Sequence, residues 1–347
     1  MVRQFPAVNR PLQPVCSVCI ANFNGEPFLS ECLDSILAQE DSASCEIIVH
    51  DDASGDASLA LLRDRYPQVE VLASNENVGF CVSNNRMVAH ARGEYVLLLN
   101  NDAALFPDAV ATLLAAARAQ SAAGILTLPQ YDWASGELVD RGCLLDPFHN
   151  PVPNRDPRVR DVAYGIGACL FLPRALWNEL GGFPEWFESI AEDLYLCCLA
   201  RLRGLPMQVT DGSGYRHRQG ASFGGNRVVA GRLATTFRRR RLSERNKTAT
   251  LVVCMPTAFA WLLLAVHAFL LACEGIALAV VRFDVRIWTD IYGPTLAYAC
   301  KAPSALRTRR RDVQATRRVG LRDYLRAFTW MPQKLRMLRR HGVPSVR

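Results

Sequence analysis

Four times in its first 120 residues the chain repeats one pattern. A run of consecutive apolar residues gives way to a short polar break, then to apolar residues spaced three and four apart. The runs are "VCSVCIANF" (15–23), "CEIIVHDD" (45–52), "VEVLAS" (69–74) and "EYVLLLN" (94–100). Apolar runs of this length, bounded by turn residues, predict buried strands. Phe28, Leu29, Cys32, Leu33, Ile36 and Leu37 predict a helix over 27–39, and further helices are expected over 56–66, 79–92 and near 107–119. Strand and helix alternating with short turns predict an α/β fold, Rossmann-like, its sheet mostly parallel and covered by helices on both faces.

The remainder is less regular. "VAYGIGACLFLP" (162–173) reads as a strand. A helix is expected from about Glu192, with Leu194, Leu196, Leu199 and Leu202 on its buried side, then a short strand from Met207 and a polar loop through "YRHRQGAS". Residues 251–273 carry no formal charge, and 321–338 place Leu321, Tyr324, Leu325, Phe328, Leu335 and Leu338 at helical spacing with arginines between them.

Charge separates the two halves. Residues 1–215 hold 14 Lys+Arg against 27 Asp+Glu, whereas 216–347 hold 26 against 6. A basic half implies nucleic acid or an anionic membrane as its surroundings. Its arginines adjoin apolar stretches with few aromatics placed for base stacking, which disfavours nucleic acid. The run 251–273 is long enough to cross a bilayer. Both its flanks are basic, however, and a single crossing would leave one outside, against the positive-inside tendency. Pro256 and His267 also interrupt it. A membrane-embedded hairpin, or helices lying in the interface at the cytoplasmic face of the inner or plasma membrane, keeps every arginine inside. The twelve cysteines are scattered through apolar segments without a framework, as in a reducing compartment. Cys16 and Cys19 alternate to opposite faces of one strand, which argues against a zinc pair. The N-terminal "MVRQFPAVNRPLQP" lacks the apolar core of a signal peptide.

The chemistry gathers where the first four strands end. Asn22 and Asn24 follow the first, Asp51 and Asp52 the second, Asn75 and Asn77 the third, and Asn100, Asn101 and Asp102 the fourth. In open α/β sheets ligands bind beyond the carboxyl ends of the strands. A carboxylate beside amides there suits Mg²⁺ or Mn²⁺ bridging a diphosphate, Asp102 supplying the charge and Asn100 and Asn101 a carbonyl ligand or hydrogen bonds. A helix N-cap ahead of Pro107 is the competing reading. Asp52 suits the N3–H of a uracil or thymine ring, or turn chemistry alone. Gly79 stands where a helix begins. Glu192 and Asp193 open another, where the helix dipole favours an ionised carboxylate, or simply cap it. His217, between two arginines, fits a third metal ligand, a phosphate contact or a surface loop.

Taken in order, "VCIANFNG", "IIVHDDASGD", "NENVGF…NN", "LLLNNDAAL", "GIGACLFLPRALWNELGGFPEWF", "EDLYLCCLARLRG" and "HRQGAS" resemble the family-2 glycosyltransferases of the GT-A fold, in the branch with bacterial rhamnosyltransferases. The resemblance covers roughly 15–250. It implies an N-terminal extension (1–14), a catalytic domain (15–230) with a nucleotide-binding half (15–120) and an acceptor half (121–230), and a helical membrane-associating region (231–347). The Asp-x-Asp metal motif of that family falls on Asn100-Asn101-Asp102, so this chain has Asn at its first position. The resemblance places the catalytic carboxylates at Asp193, as base, and Glu192. Nucleotide contacts fall on Ala21, Asn22, Phe23, Asn24, Asp52, Asn77, Gly79, Asn85 and Asn101, metal ligands on Asp102, Asn100 and His217, and the acceptor wall on Gly167, Trp186 and Phe187. It implies inverting transfer of a sugar, rhamnose foremost, from a dTDP- or UDP-sugar to a lipid-linked or cell-surface glycan. Galactose, galactofuranose or an N-acetylhexosamine are the alternative sugars, and homo-oligomerisation is left open. A sugar nucleotidyltransferase would want a Gly-rich phosphate loop and a basic residue after the first strand, and "IANFNGEPF" has neither. A non-catalytic membrane-bound assembly protein is the third class.

Overall fold

Residues 2–40, 45–220, 225–229, 232–301 and 303–346 are described by a computed structural model of the chain. They form two compact units, each drawn from separate stretches: Met1–Cys143, Pro153–Ser189 and Leu205–Ser222 in the first, Leu144–Val152, Ile190–Gly204 and Phe223–Arg347 in the second. The expected boundary at 230/231, and Ala221 and Ser222 of the "HRQGAS" loop, lie outside the described residues.

The first unit begins with β1 (Val2–Phe5), β2 (Cys16–Asn22), α1 (Glu26–Leu37), β3 (Cys45–Asp51), α2 (Ser58–Arg65), β4 (Glu70–Ser74), α3 (Phe80–His90) and β5 (Tyr95–Leu99). It continues with β6 (Ala103–Leu105), α4 (Ala109–Ala119), β7 (Ile125–Thr127), β8 (Gln130–Asp132) and β9 (Leu138–Asp140). β10 (Cys169–Pro173), α5 (Arg174–Leu180), β11 (Met207–Val209) and β12 (Tyr215–His217) complete it. One eight-stranded sheet runs in the order β1-β4-β3-β2-β5-β10-β7-β11. β2 pairs in parallel with β3 and β5, and β3 with β4, at positions that are buried except for half-buried Ala21 and Tyr95. On α1, Leu29, Cys32, Leu33 and Ile36 recur at i, i+3, i+4 and i+7 and bury that face in the core beneath the sheet.

The sheet is more mixed than expected. β1 adds an antiparallel edge to β4, formed by residues read only as an extension. The expected strand over 162–173 shortens to β10, because a turn at Ile166–Cys169, closed by the Cys169 N–H on the Ile166 carbonyl, interrupts it. β10 then runs antiparallel to β5, with Cys169 opposite Leu99. The polar loop after Met207 contains β12, which joins a small second sheet ordered β6-β12-β8-β9.

β2, β3 and β4 extend the large sheet in one direction and β5 in the other, so the strand order reverses between β2 and β5. A crevice opens at the carboxyl ends of strands at such a reversal. The residues that leave those two ends are Asn22 and Asn100–Asp102.

The second unit comprises α6 (Glu192–Leu202), α7 (Phe237–Cys254), α8 (Phe259–Arg282), a π-helical stretch (Ile287–Tyr292), α9 (Gly293–Lys301), α10 (Pro303–Ala315) and α11 (Gln333–His341). The uncharged run 251–273 is divided between α7 and α8. Met255, before Pro256, is extended (ψ 120°), as residues before proline tend to be, and Thr257 has φ 70°. The carbonyls this corner frees are satisfied from α10. Arg310 donates to the Val252, Met255 and Thr257 carbonyls at 2.6 Å, and the Gln314 amide to that of Val253 at 2.9 Å. The stretch 321–338 is likewise not one helix. It is helical over Leu321–Tyr324, tightens into a 3₁₀ turn over Leu325–Ala327, extends at Phe328, and resumes as α11 after Pro332.

Candidate active site

The strand ends of the first unit are tied together by their own amides. Asn22 donates from Nδ2 to Asp51 Oδ1 at 3.0 Å and accepts at Oδ1 from Asn101 Nδ2 at 2.8 Å. This chain of bonds joins the ends of β2 and β3 to the segment after β5. It also requires Gly25, because a Cβ there would lie 2.1 Å from Asn101 Nδ2 and 2.2 Å from Asn22 Oδ1. Asn24 takes φ 50°, and its Oδ1 accepts from the Gly55 N–H at 2.7 Å. Ala21 is half-buried, and Phe23 is exposed on the rim.

Asp52 is buried, and both its oxygens accept backbone N–H groups, Val78 at 2.7 Å and Gly79 at 2.9 Å. The carboxylate therefore clamps the turn that starts α3, and each oxygen keeps one lone pair for a ring N–H. Gly79 (φ 89°) holds the left-handed conformation that the turn needs. Asn77 is exposed beside it. Beneath lies His50, whose Nε2 is 3.2 Å from Ser74 Oγ; Arg86 donates to the same hydroxyl at 2.9 Å. Burial pulls the His50 pKa down to about 4, so the ring is neutral at pH 7.

Asn85 turns to another task. Its amide donates to the Phe183 carbonyl and accepts from the Phe183 N–H, both at 2.9 Å, pinning the "GGFPEWF" loop to α3. In that loop Phe187 is fully buried, with Trp186 edge-on to it at 4.3 Å. A buried ring cannot stack on a sugar, which removes Phe187 from the expected acceptor wall; Trp186 is half-buried. Gly167 is buried in the turn before β10, next to the Ala168 carbonyl that receives the Asn100 N–H at 3.1 Å.

β12 brings His217 alongside Ala103, and its Nε2 stands 3.1 Å from Asp102 Oδ1. Asn100 Nδ2 is 3.4 Å from the same nitrogen. The other ring nitrogen, Nδ1, faces Gln130 Oε1 at 3.2 Å, which also accepts from the Tyr215 hydroxyl at 2.8 Å. A carbonyl oxygen only accepts, so Nδ1 carries a proton; a neutral ring then presents the Nε2 lone pair toward Asp102, and a protonated ring donates to it. Two electron-rich atoms at that separation want a cation or a second ring proton between them. Adjacent corners of an octahedron with bonds of about 2.1 Å also stand roughly 3 Å apart. The donor set therefore fits Mg²⁺ or Mn²⁺. Among the described residues no third His, Cys, Asp or Glu joins these two, which leaves corners for phosphate oxygens and water. Arg218 lies over the Trp133 ring, 3.8 Å from its centroid, and pairs with Glu31.

The second unit holds the other candidate carboxylates. Glu188, Ile190 and Ala191 all have positive φ, an unfavourable conformation for such residues, and they deliver the chain into α6. In its first turn Glu192 and Asp193 are both buried, and Asp193 Oδ1 accepts from the Leu194 N–H at 2.7 Å. Burial, and then the neighbouring Asp193 charge, push the Glu192 pKa well above the carboxylate range. The shift favours the neutral form of Glu192 beside the Asp193 carboxylate.

This has a consequence for stability. A carboxyl whose folded pKa exceeds its unfolded one favours the fold fully below the unfolded pKa and loses that contribution as pH rises through the folded value. Glu192→Gln, which keeps the neutral shape, should match the parent in urea unfolding at pH 4 and exceed it at pH 8. Equal loss at both pH values would show an ionised Glu192.

Gln130 and Gly25 were not anticipated from the sequence. Gly25 had a signal, the Asn-Gly pair in "NFNG"; Gln130 had none, lying 87 residues from His217.

Comparison with known proteins agrees with this architecture. The model of the family described as Glycosyl transferase family 2 matches residues 17–173. The chain is 29% identical over 188 residues to the chondroitin synthase of Escherichia coli, covering 53% of this chain and 26% of that one. It is 28% identical over 214 residues to the N-acetylglucosaminyl-diphospho-decaprenol L-rhamnosyltransferase of Mycobacterium tuberculosis, covering 52% of this chain and 69% of that one. An uncharacterised protein of Sinorhizobium fredii is 30% identical over 199 residues, 55% of this chain and 21% of its own length. The chain thus spans about a quarter or less of the length of two of these relatives. Among solved structures, the mannosyltransferase of Pyrobaculum calidifontis in complex with GDP-Man and Mn²⁺ aligns with a TM-score of 0.52 at 17% identity, over 96% of this chain and 90% of that one. TarS of S. aureus in complex with UDP-GlcNAc aligns at 0.51 and 15% identity, over 87% and 90%. The matched segment contains β2 through β5, the reversal of strand order and the Asn100–Asp102 turn, so over these residues the chain is similar to glycosyl transferase family 2, and its fold is GT-A.

Proposed function

We propose that the chain transfers a sugar, with inversion, from a pyrimidine nucleoside-diphosphate sugar to a hydroxyl of a lipid-linked or cell-surface glycan, working at the cytoplasmic face of a membrane. The observation that carries this reading is the pairing of Asp102 with His217 at 3.1 Å beside the reversal of strand order. Bound there, Mg²⁺ or Mn²⁺ would neutralise the charge of the departing diphosphate. The Asp51–Asn22–Asn101 chain would hold the loops against the nucleotide, and Asp52 offers its remaining lone pairs to the N3–H of uracil or thymine. Asp193 takes the proton of the acceptor hydroxyl as that oxygen attacks the anomeric carbon, and a single displacement needs only one such base. Rhamnose is favoured by the mycobacterial relative, named for L-rhamnosyl transfer.

Calorimetric titration with UDP, dTDP and GDP, each with Mn²⁺, Mg²⁺ or EDTA, tests the donor site. Metal-dependent binding of one pyrimidine diphosphate is expected. Preference for GDP, or binding indifferent to EDTA, overturns the assignment.

Gln130 adds a sharper check. Gln130→Met removes the acceptor that fixes the His217 tautomer, and such outer partners are worth about 10–100-fold in metal affinity. Manganese binding measured without nucleotide should weaken by that factor, with a lower thermal melt of the metal-free protein because the Tyr215 hydroxyl also loses this acceptor.

A further inference from the structure

α8 is inside out for a helix of a water-soluble domain. Its buried stripe is Ala260, Leu263, His267, Leu271, Gly275 and Leu278. Its polar groups face the same inward side. His267 Nε2 meets the Thr248 hydroxyl of α7 at 3.0 Å. Glu274 pairs with Lys334 of α11 at 2.7 Å and with Arg240 of α7. Arg282 donates to the Val343 and Pro344 carbonyls. The opposite side is wholly apolar, since no exposed position from 259 to 281 carries a polar side chain. Leu262, Phe269 and Val280 are 61%, 68% and 65% exposed, and Phe283 beyond the helix is 96% exposed. Soluble surface helices put polar residues outward.

At the N-terminal end of this face lies a basic cleft. Trp261 is exposed, with the Arg307 guanidinium 5.7 Å from its ring centroid, and exposed Arg311 and Arg317 line the same cleft. Arg310 is held by the carbonyls already described, and Arg311 has a nearby carboxylate in Asp312 at 3.5 Å.

We propose that the second unit docks on an anionic lipid bilayer, with α8 lying in the plane of the interface. Its outward face enters the acyl boundary, and Arg307, Arg311 and Arg317 meet headgroup phosphates beside Trp261, a residue at home at that depth. Charge selects this occupant over a second copy of the chain. Residues 216–347 hold 26 basic against 6 acidic side chains, so two copies repel while an anionic surface attracts. Lying flat also accords with the packing better than crossing does. α8 is long and apolar enough to span, but its inner face is bonded to α7, whose first turns contain Arg238–Arg241, and spanning would carry that charge into the bilayer. This inference rests on the membrane placement proposed above and is independent of the donor.

The test is flotation of the full chain with vesicles of phosphatidylcholine alone or with phosphatidylglycerol, alongside nucleotide titration of the same preparation. The parent should float with the anionic vesicles and bind the neutral ones on the order of tenfold more weakly. Phe269→Glu should lose flotation. Arg311→Glu should weaken it by about fivefold for each unit of charge changed and reduce its salt dependence. Both side chains are exposed, and an unchanged thermal melt confirms the fold of each variant. Depth separates lying from crossing. Cys273 is exposed on α8 and Cys300 is exposed elsewhere, while the remaining ten cysteines are buried. In a Cys300→Ser background a fluorophore on Cys273, or on Leu262→Cys or Val280→Cys with Cys273→Ser, should be quenched by brominated lipids at one shared shallow depth. Depths that change progressively along α8 overturn the in-plane arrangement. Absent flotation, flotation untouched by Phe269→Glu, or concentration-dependent dimers that Phe269→Glu dissolves overturn the docking itself. Nucleotide binding without flotation defeats this inference alone, and flotation without nucleotide binding defeats the donor reading alone.

Discussion

Asp193→Asn is expected to lower turnover of a nucleotide-sugar donor by about 10²–10⁴-fold, the range a positioned general base supplies, while leaving affinity for the nucleoside diphosphate unchanged. The substitution keeps the size of the side chain and an oxygen able to accept the Leu194 N–H, and removes the ability to take a proton. Its neighbour provides the contrast. Burial and then the Asp193 charge favour the neutral form of Glu192, so Glu192→Gln should retain most of the activity. Radiolabelled sugar transfer, with calorimetry of the diphosphate on each variant, distinguishes the cases. Unchanged turnover in Asp193→Asn would remove it from the chemistry. Loss in both variants together would point to the first turn of α6 as a packing feature.

The second large effect concerns Asp102. The first position of the Asn100-Asn101-Asp102 turn is an amide, so Asp102 carries the whole formal charge of that turn. His217 and Asn100 can contribute lone pairs but no compensating charge. Asp102→Ala should therefore abolish the dependence of nucleotide binding on Mn²⁺ and lower turnover by about 10³-fold, in line with the several kcal/mol that a catalytic cation supplies. His217→Ala should do less, since it removes one neutral ligand. Manganese electron paramagnetic resonance, run with and without nucleotide, reads the metal directly. Retained metal binding in Asp102→Ala would mean that the cation is held elsewhere.

Much of the sheet was legible because apolar runs of five to seven residues break off sharply into amides and carboxylates. Asn22, Asp51, Asp52 and Asn100–Asp102 are found by that break alone, as is the start of α6 at Glu192. What was not legible depends on partners distant in sequence. Gln130 has meaning only because β8 and β12 pair, and β12 is three residues long with one exposed side chain, too short to announce a strand. β1 is polar in two of its four positions, as an edge strand can be. The composition of "GGFPEWF" does not say which aromatic ring is buried; packing decides that. Pro256 signalled a break in the run 251–273, but hydropathy does not register the carbonyls freed at that corner, and the side chains that satisfy them come from α10.

Those side chains make the corner a late event in the life of the chain. Arg310 reaches back 58, 55 and 53 residues to the carbonyls it satisfies. While a ribosome is still producing residues 260–300, α7 and α8 exist with their junction open to water. α8 meets α7 through His267 and Glu274 by then, but the carbonyls of the corner have only water as a partner. Only when α10 emerges do Arg310 and Gln314 close the corner. A nascent chain stalled before residue 303 should therefore show faster backbone hydrogen exchange around Met255–Ala260 than the complete chain.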